Sequence, residues 1–324
     1  MLVHLAYPPE ADELASLQAQ LDPAVSLTLG PARPTPAGYH VLVSGRAERA
    51  DLTASPHLHT VIVPWAGIPL PLRQLLADFP HLALYNLHHN AAPVAELALA
   101  LLLAAAKFIV PFDQSLRHHD WTPRYQPSPA GLLNDKTALI LGYGAIGQRV
   151  TRACAALGMQ VLATRRQITQ AGRDGVAEIH PPEALPHLLP QAHALIICLP
   201  QTPQTTGLLG AAELALLPAG AVLVNIGRGP IVDEAALYHA LRAGHLRAAG
   251  LDVWYNYPAG VDDRRHTPAS SFPFHELDNV VLSPHRGGAT DETDRLRMTH
   301  LARLLNGLAR GETVPGRVDL AAGY

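Results

Sequence analysis

The chain has 324 residues, 48% hydrophobic and 16% charged, with 24 Lys+Arg against 27 Asp+Glu for a net charge of −3. At roughly 150 residues per domain the length predicts about two folded domains, and the charge balance provides no basic surface of the kind that binds nucleic acid. Two cysteines, Cys154 and Cys198, exclude a disulfide framework and a cysteine-rich zinc site.

The chain opens with an acid and a Pro-Pro pair too early for a signal peptide. Its longest apolar run, residues 97–106, is far shorter than the ~20 residues a membrane span needs. The expectation is a cytoplasmic protein with no membrane and no nucleic-acid partner. In chain order, short apolar runs at 2–6, 25–29, 41–43, 60–63 and 82–85 read as strands, with amphipathic helices at 11–20 and 70–77 between them. Asn90 then offers a cap and Pro93 a first turn for one long buried helix, VAELALALLLAAAKFIV. A Pro-rich arm follows at 120–136. Strand–helix alternation restarts with six runs, at 137–142, 160–163, 194–198, 221–226, 248–252 and 280–283, which suffice for a doubly wound nucleotide domain. A helix at 291–309 comes after the last strand and is free to return to the first domain. The fold class is α/β, two doubly wound parallel-sheet domains, with a Rossmann cofactor domain (96–287) inserted into a flavodoxin-like substrate domain (1–95 plus 288–324).

The segment TALILGYGAIGQRV holds Gly142, Gly144 and Gly147 in G-x-G-x-x-G spacing between a strand and a helix. In that context each glycine has its own role. Gly142 makes the turn, Gly144 lets a pyrophosphate approach, and Gly147 lets helix and strand pack closely. The amides of Ala145 and Ile146 would face the phosphates at the positive end of the helix. The second strand ends in Thr164, Arg165 and Arg166, with no acid to bond a ribose 2′-hydroxyl. Two guanidiniums and a hydroxyl there attract a 2′-phosphate, so NADP(H) is favoured over NAD(H).

Four segments, PVAELALALLL, VNIGRGPIVDEAAL, AAGLDVW and VVLSPHRGGAT, fall in an order that closely resembles the D-2-hydroxyacid dehydrogenases over roughly residues 60–305. The resemblance implies Arg228 as the catalytic arginine, orienting a 2-oxo acid, and His285 as the general acid/base. It puts Leu199, Pro200, Thr205, Ile226, Gly227, Asp252 and Gly287 around the cofactor. It also gives Ala66 and Gly67 to the substrate carboxylate and Asn90 to the edge of the cleft between the domains. The implied activity is hydride transfer between NAD(P)H and a small 2-oxo/2-hydroxy acid, in a homodimer. Glycines after His285 suggest a hinge.

One departure stands out. The family's third catalytic residue is a glutamate five positions after the Asp of LDV, and this chain has Tyr257 there. A carboxylate would raise the imidazole pKa, whereas a phenol hardly can, so a lower His285 pKa is expected. Glu276 lacks the spacing to substitute. The same departure keeps two alternatives open: a formate- or phosphite-dehydrogenase-like enzyme, and a cofactor-binding regulator with little turnover. No metal site is expected. The pairs His88–His89 and His118–His119 have no converging carboxylates, Cys154 and Cys198 read as buried and inert, and Trp254 reads as core. The stretch at 259–279 reads as an insertion shaping the substrate mouth.

Overall fold

The computed structural model describes residues 1–168 and 171–320, in two compact units, Met1–Asn90 joined by the segment from Ala289, and Ala91–Gly288. The chain leaves the first unit after Asn90 and re-enters it at Ala289.

In the first unit, five strands form one parallel sheet: β1 (Leu2–Leu5), β2 (Ser26–Leu29), β3 (Val41–Val43), β4 (Thr60–Val63) and β5 (Ala83–Asn86). Their order, β2-β1-β3-β4-β5, is that of a flavodoxin-like sheet. Strands covered on both faces must be apolar throughout, which is why β3 and β4 read VLV and TVIV and are buried at every position. Helix α1 (Ala11–Gln20) covers one face through Leu17, and helices α2 (Arg49–Ala54) and α3 (Leu70–Leu76) cover the other through Leu52, Leu72 and Leu76.

The second unit begins with α4 (Ala91–Lys107), one Ala- and Leu-rich face of which is buried along its length. The single long helix expected here is two: Phe108 adopts a left-handed φ of 54°, and α5 (Ile109–Arg117) departs at 67°. Asn90, expected to cap α4, leaves its side-chain oxygen buried without a hydrogen-bond partner among the described residues.

The sheet that follows contains β6 (Thr137–Leu141), α6 (Ala145–Ala156), β7 (Gln160–Thr164), β8 (Gly172–Arg173), β9 (Glu178–His180), α7 (Leu185–Leu188), β10 (Ala194–Ile197), α8 (Ala211–Leu216), β11 (Ala221–Asn225), α9 (Glu234–Arg242), β12 (Leu246–Leu251) and β13 (Val280–Leu282). Its strand order is β13-β12-β11-β10-β6-β7-β9-β8, parallel except for β8. Among the described residues eight strands therefore stand where six were expected. The third strand of the doubly wound pattern is β9, absent from the sequence reading, and 280–283 supplies a seventh parallel strand.

Helix α4 lies close over this sheet at Gly250, where a Cβ would come within 2.7 Å of Leu101 Cβ. The stretch at 259–279 folds onto α9 rather than standing free: Phe272 and Phe274 pack their rings on Tyr238, and Ser270 donates to Glu234. Helix α10 (Thr293–Ala309) belongs to the first unit and packs Met298, Leu301, Ala302 and Leu305 beside Val3, Leu5 and Leu17.

Candidate active site

The order of the second sheet reverses between β6 and β10, so a crevice is expected at the carboxyl ends of these strands. The loops that leave those ends carry almost every residue singled out in this unit. Gly142, after β6, has φ +98°, and a Cβ on it would lie 3.1 Å from the Cys198 carbonyl oxygen and from a Leu199 methyl. A Cβ on Gly147 would lie 2.0 Å from the Gly142 oxygen, so α6 can start only with glycine at that position. Gly144 is different. Nothing lies within 4 Å of where its Cβ would be, and it precedes Ala145 and Ile146 at the amino end of α6. Open space over a glycine at a helix N-terminus fits a dinucleotide pyrophosphate.

Thr164 at the end of β7 is buried, and its hydroxyl accepts from the Gly142 amide at 3.3 Å while its carbonyl accepts from Tyr143. The hydroxyl is thus turned to the glycine loop and not outward as expected. Arg165 and Arg166 are exposed, with the Arg165 amide donating to the His180 carbonyl at 2.9 Å.

After β10, the Thr205 hydroxyl donates to the Pro200 carbonyl at 2.7 Å and accepts from the Thr202 amide at 2.8 Å, which ties the 200–206 loop together. After β11, Arg228 stands between two glycines that cannot be replaced: a Cβ on Gly227 would meet the Leu199 oxygen at 2.5 Å, and one on Gly229 the Trp254 oxygen at 2.3 Å. The loop is held from beneath by Asn225, which accepts from the Gly227 amide and donates to the Arg228 carbonyl, each at 3.0 Å. The Arg228 guanidinium itself donates to the Gly227 carbonyl at 2.6 Å, and Ile226 is buried beside it.

His285, after β13, has a φ of 57°, a conformation that side-chain-bearing residues adopt only when their surroundings enforce it. The enforcing group is Asp252, only 2% exposed. One carboxylate oxygen accepts from the Ser283 hydroxyl and the Arg286 amide (2.8 Å), and the other from the Gly287 amide at 3.0 Å. Asp252 was expected beside the cofactor; here both its oxygens hold the turn that presents His285. Gly287 is pinned in the same way, since a Cβ there would lie 2.8 Å from that carboxylate. Trp254 is core, with its indole donating to the Ser283 carbonyl at 2.8 Å. The motifs held no sign of Ser283 as a partner; Asn225 was visible only as the residue closing a strand before G-R-G.

His285 Nδ1 lies 3.0 Å from the Tyr257 phenol, which also accepts from the Trp254 amide at 3.1 Å. Desolvation, and then the Arg228 charge, lower the His285 pKa below the ordinary imidazole value; Asp252 acts in the opposite direction. Burial raises the Tyr257 pKa, so the phenol keeps its proton. Glu276 lies in an exposed turn beside His275.

In the first unit, Ala66 and Gly67 follow β4, where their amides donate to no acceptor among the described residues; the Ala66 carbonyl accepts from Asn86. His89 is buried and its Nδ1 has no hydrogen-bond partner among the described residues. Among the described residues no group of three His, Cys, Asp or Glu side chains is arranged to hold a metal ion. Burial pushes the Cys154 thiol up to about 12 and the Cys198 thiol higher, which leaves neither nucleophilic.

The family model for D-isomer specific 2-hydroxyacid dehydrogenase, NAD binding domain, matches residues 99–287. The chain belongs to this family. D-3-phosphoglycerate dehydrogenase of Mycobacterium bovis is 37% identical over 237 residues, and glyoxylate reductase of Aeropyrum pernix is 38% identical over 232 residues. These alignments cover 72% and 69% of this chain, and 42% and 65% of the two relatives. The chain thus spans well under half the length of the phosphoglycerate dehydrogenases it matches. A solved D-isomer specific 2-hydroxyacid dehydrogenase from Xanthobacter autotrophicus Py2, in complex with NADPH and MES, superposes with a TM-score of 0.79 at 27% identity, over 100% of both chains. As a 2-hydroxyacid dehydrogenase family member, the chain has a Rossmann nucleotide-binding unit whose carboxyl edge carries Arg228 and His285 together, with Tyr257 on the histidine.

Proposed function

We propose that the protein transfers a hydride between NAD(P)H and a small 2-oxo/2-hydroxy acid, as glyoxylate and hydroxypyruvate reductases do, with NADP(H) preferred. The observation that carries this reading is the convergence of Arg228 and His285 at one sheet edge, near enough for the guanidinium charge to act on the imidazole. A bound nicotinamide dinucleotide would supply the hydride. Gly142, Gly144 and Gly147, with the Ala145 and Ile146 amides, would hold its pyrophosphate, and the exposed Arg165 and Arg166 would meet a 2′-phosphate. The NADPH in the Xanthobacter relative supports the same preference.

Arg228, a planar fork of permanent charge, would orient the 2-oxo acid and draw electron density toward the carbonyl oxygen. His285 as imidazolium would give that oxygen its proton as hydride reaches the carbon. The Ala66 and Gly67 amides, which meet no acceptor among the described residues, suit a carboxylate. Catalysis therefore falls to Arg228 and His285, and Asp252, Asn225 and Ser283 position them.

A homodimer belongs to this reading. No residue of α5 is buried, and Trp121 and Tyr125 on the following arm are 60% and 80% exposed. A cytoplasmic setting belongs to it as well. Two free cysteines fit a reducing compartment, and no single helix among the described residues is long and apolar enough to cross a membrane.

The test is consumption of NADPH, then NADH, with glyoxylate and with hydroxypyruvate. Turnover with NADPH is expected, and preference for NADH would contradict the role of Arg165 and Arg166. Tight NADPH binding with no 2-oxo acid reduced would overturn the reading. Formate or phosphite oxidation would then favour the dehydrogenase alternative, and its absence the regulator.

A further inference from the structure

We propose that Tyr257 is a positioning residue that fixes neutral His285 as the tautomer with its hydrogen on Nε2, the reverse of what a carboxylate at this position selects. Only the kinetic consequence of this assignment rests on the functional reading above. The phenol oxygen already accepts from the Trp254 amide at 3.1 Å, which leaves its single hydrogen to donate along the 3.0 Å line to His285 Nδ1. A nitrogen that accepts carries no hydrogen of its own, so the hydrogen of the neutral ring sits on Nε2. A carboxylate has no hydrogen to give. It accepts from Nδ1–H, leaves Nε2 bare in the neutral ring, and stabilises the imidazolium.

The consequence follows by counting protons. In reduction the carbonyl carbon gains hydride and its oxygen gains the proton from Nε2 of the imidazolium, leaving a neutral ring with hydrogen on Nδ1. That product ring accommodates Tyr257 only if the phenol turns its hydrogen away, and Tyr257, 48% exposed, can give that hydrogen to water. A neutral ring with hydrogen on Nε2 is no substitute acid. Its proton could leave only if Tyr257 passed its own to Nδ1, and burial makes the resulting tyrosinate costly. The other charges that face the ring, Arg228 and Asp252, oppose one another and do not supply the missing carboxylate partner. The imidazolium is therefore the only working acid. Its population falls away at lower pH than in a carboxylate-paired site.

Nitrogen-15 NMR of the histidine-labelled wild-type protein at about pH 8, above the ordinary imidazole range, tests the tautomer without any substrate. Loss of the signal in His285→Gln assigns it. The expected result is a bare, hydrogen-bonded Nδ1 and a protonated Nε2, and a protonated Nδ1 would overturn the proposal. In the kinetic arm, Tyr257→Glu is expected to move the alkaline limb of 2-oxo acid reduction up by about one pH unit or more, acting on kcat with KM little changed. Tyr257→Phe, which removes the donor without adding charge, is expected to mix the tautomers and move the limb up by less. A limb that stays in place in Tyr257→Glu, with reduction intact, would also overturn the proposal. If no 2-oxo acid is reduced, the functional reading fails while the NMR result still decides the tautomer.

Discussion

Asp252 shows how a single buried carboxylate holds the turn that presents another residue. Its oxygens accept from two consecutive amides and a hydroxyl, and the turn they hold keeps His285 at a positive φ. Replacing Asp252 with Asn turns one acceptor into a donor facing an amide N–H and removes the charge from the remaining bonds. Asp252→Asn is expected to cost about 1.5–3 kcal/mol of stability and to lower kcat more than it changes KM, as measured by urea unfolding and steady-state kinetics. An unchanged kcat would show that the clasp does not position His285. A second residue-scale prediction concerns His89, 6% exposed, whose pKa is lowered to about 4, first by burial and then by the Arg297 and His300 charges. Because its folded-state pKa lies below the unfolded value of 6.5, the unfolded chain takes up the proton first. The stability from neutral His89 is full above pH 6.5 and is lost as pH falls toward about 4. The loss is on the order of 3 kcal/mol. Urea midpoints measured between these pH values should fall less steeply in His89→Gln.

At the scale of elements, the glycine loop permits a sharp comparison. A side chain at Gly147 collides with the Gly142 backbone, whereas one at Gly144 enters space that no protein atom occupies. Gly147→Val is therefore expected to unfold the β6–α6 turn. Gly144→Val should keep the wild-type melting temperature while NADPH affinity falls at least tenfold, read by fluorescence titration. Equal affinity in Gly144→Val would remove the pyrophosphate from this loop. Most of these elements were legible in the sequence because buried parallel strands must be apolar throughout, as TVIV and TALIL are. Strand β9 was not. It is three residues long with only Ile179 buried, between Gly175 and Pro181, and too short to show a period. The break at Phe108 was hidden because AAAKFIV holds no Gly or Pro and is apolar apart from Lys107, and apolar spacing does not report a left-handed residue. The placing of Arg228 and His285 in loops at one sheet edge was legible because G-R-G and S-P-H-R-G-G bind their residues to tight local turns. The work of Asp252, Asn225 and Thr164 was not, because their partners include backbone amides and side chains of loops distant in sequence or unmarked by type.

At the scale of the whole molecule, the interrupted chain places a complete sheet in each unit, parallel but for β8, and the carboxyl edge of the Rossmann sheet collects Arg228, His285, Tyr257 and the glycine loop. The exposed apolar side chains of α5 and the arm make oligomeric state a further test. Light scattering should give a dimer for the wild type and a monomer for the double variant Leu116→Glu, Trp121→Ser, and a wild-type monomer would remove the dimer from the account. The central claim, that Arg228 and His285 carry hydride transfer to a 2-oxo acid, is tested most directly by NADPH consumption with glyoxylate and hydroxypyruvate in wild type, Arg228→Ala and His285→Gln. The account predicts turnover in the wild type and a loss of about a hundredfold or more in kcat for His285→Gln, with NADPH still bound by all three proteins. A wild type that binds NADPH and reduces neither acid, or a His285→Gln variant that turns over at the wild-type rate, would contradict it.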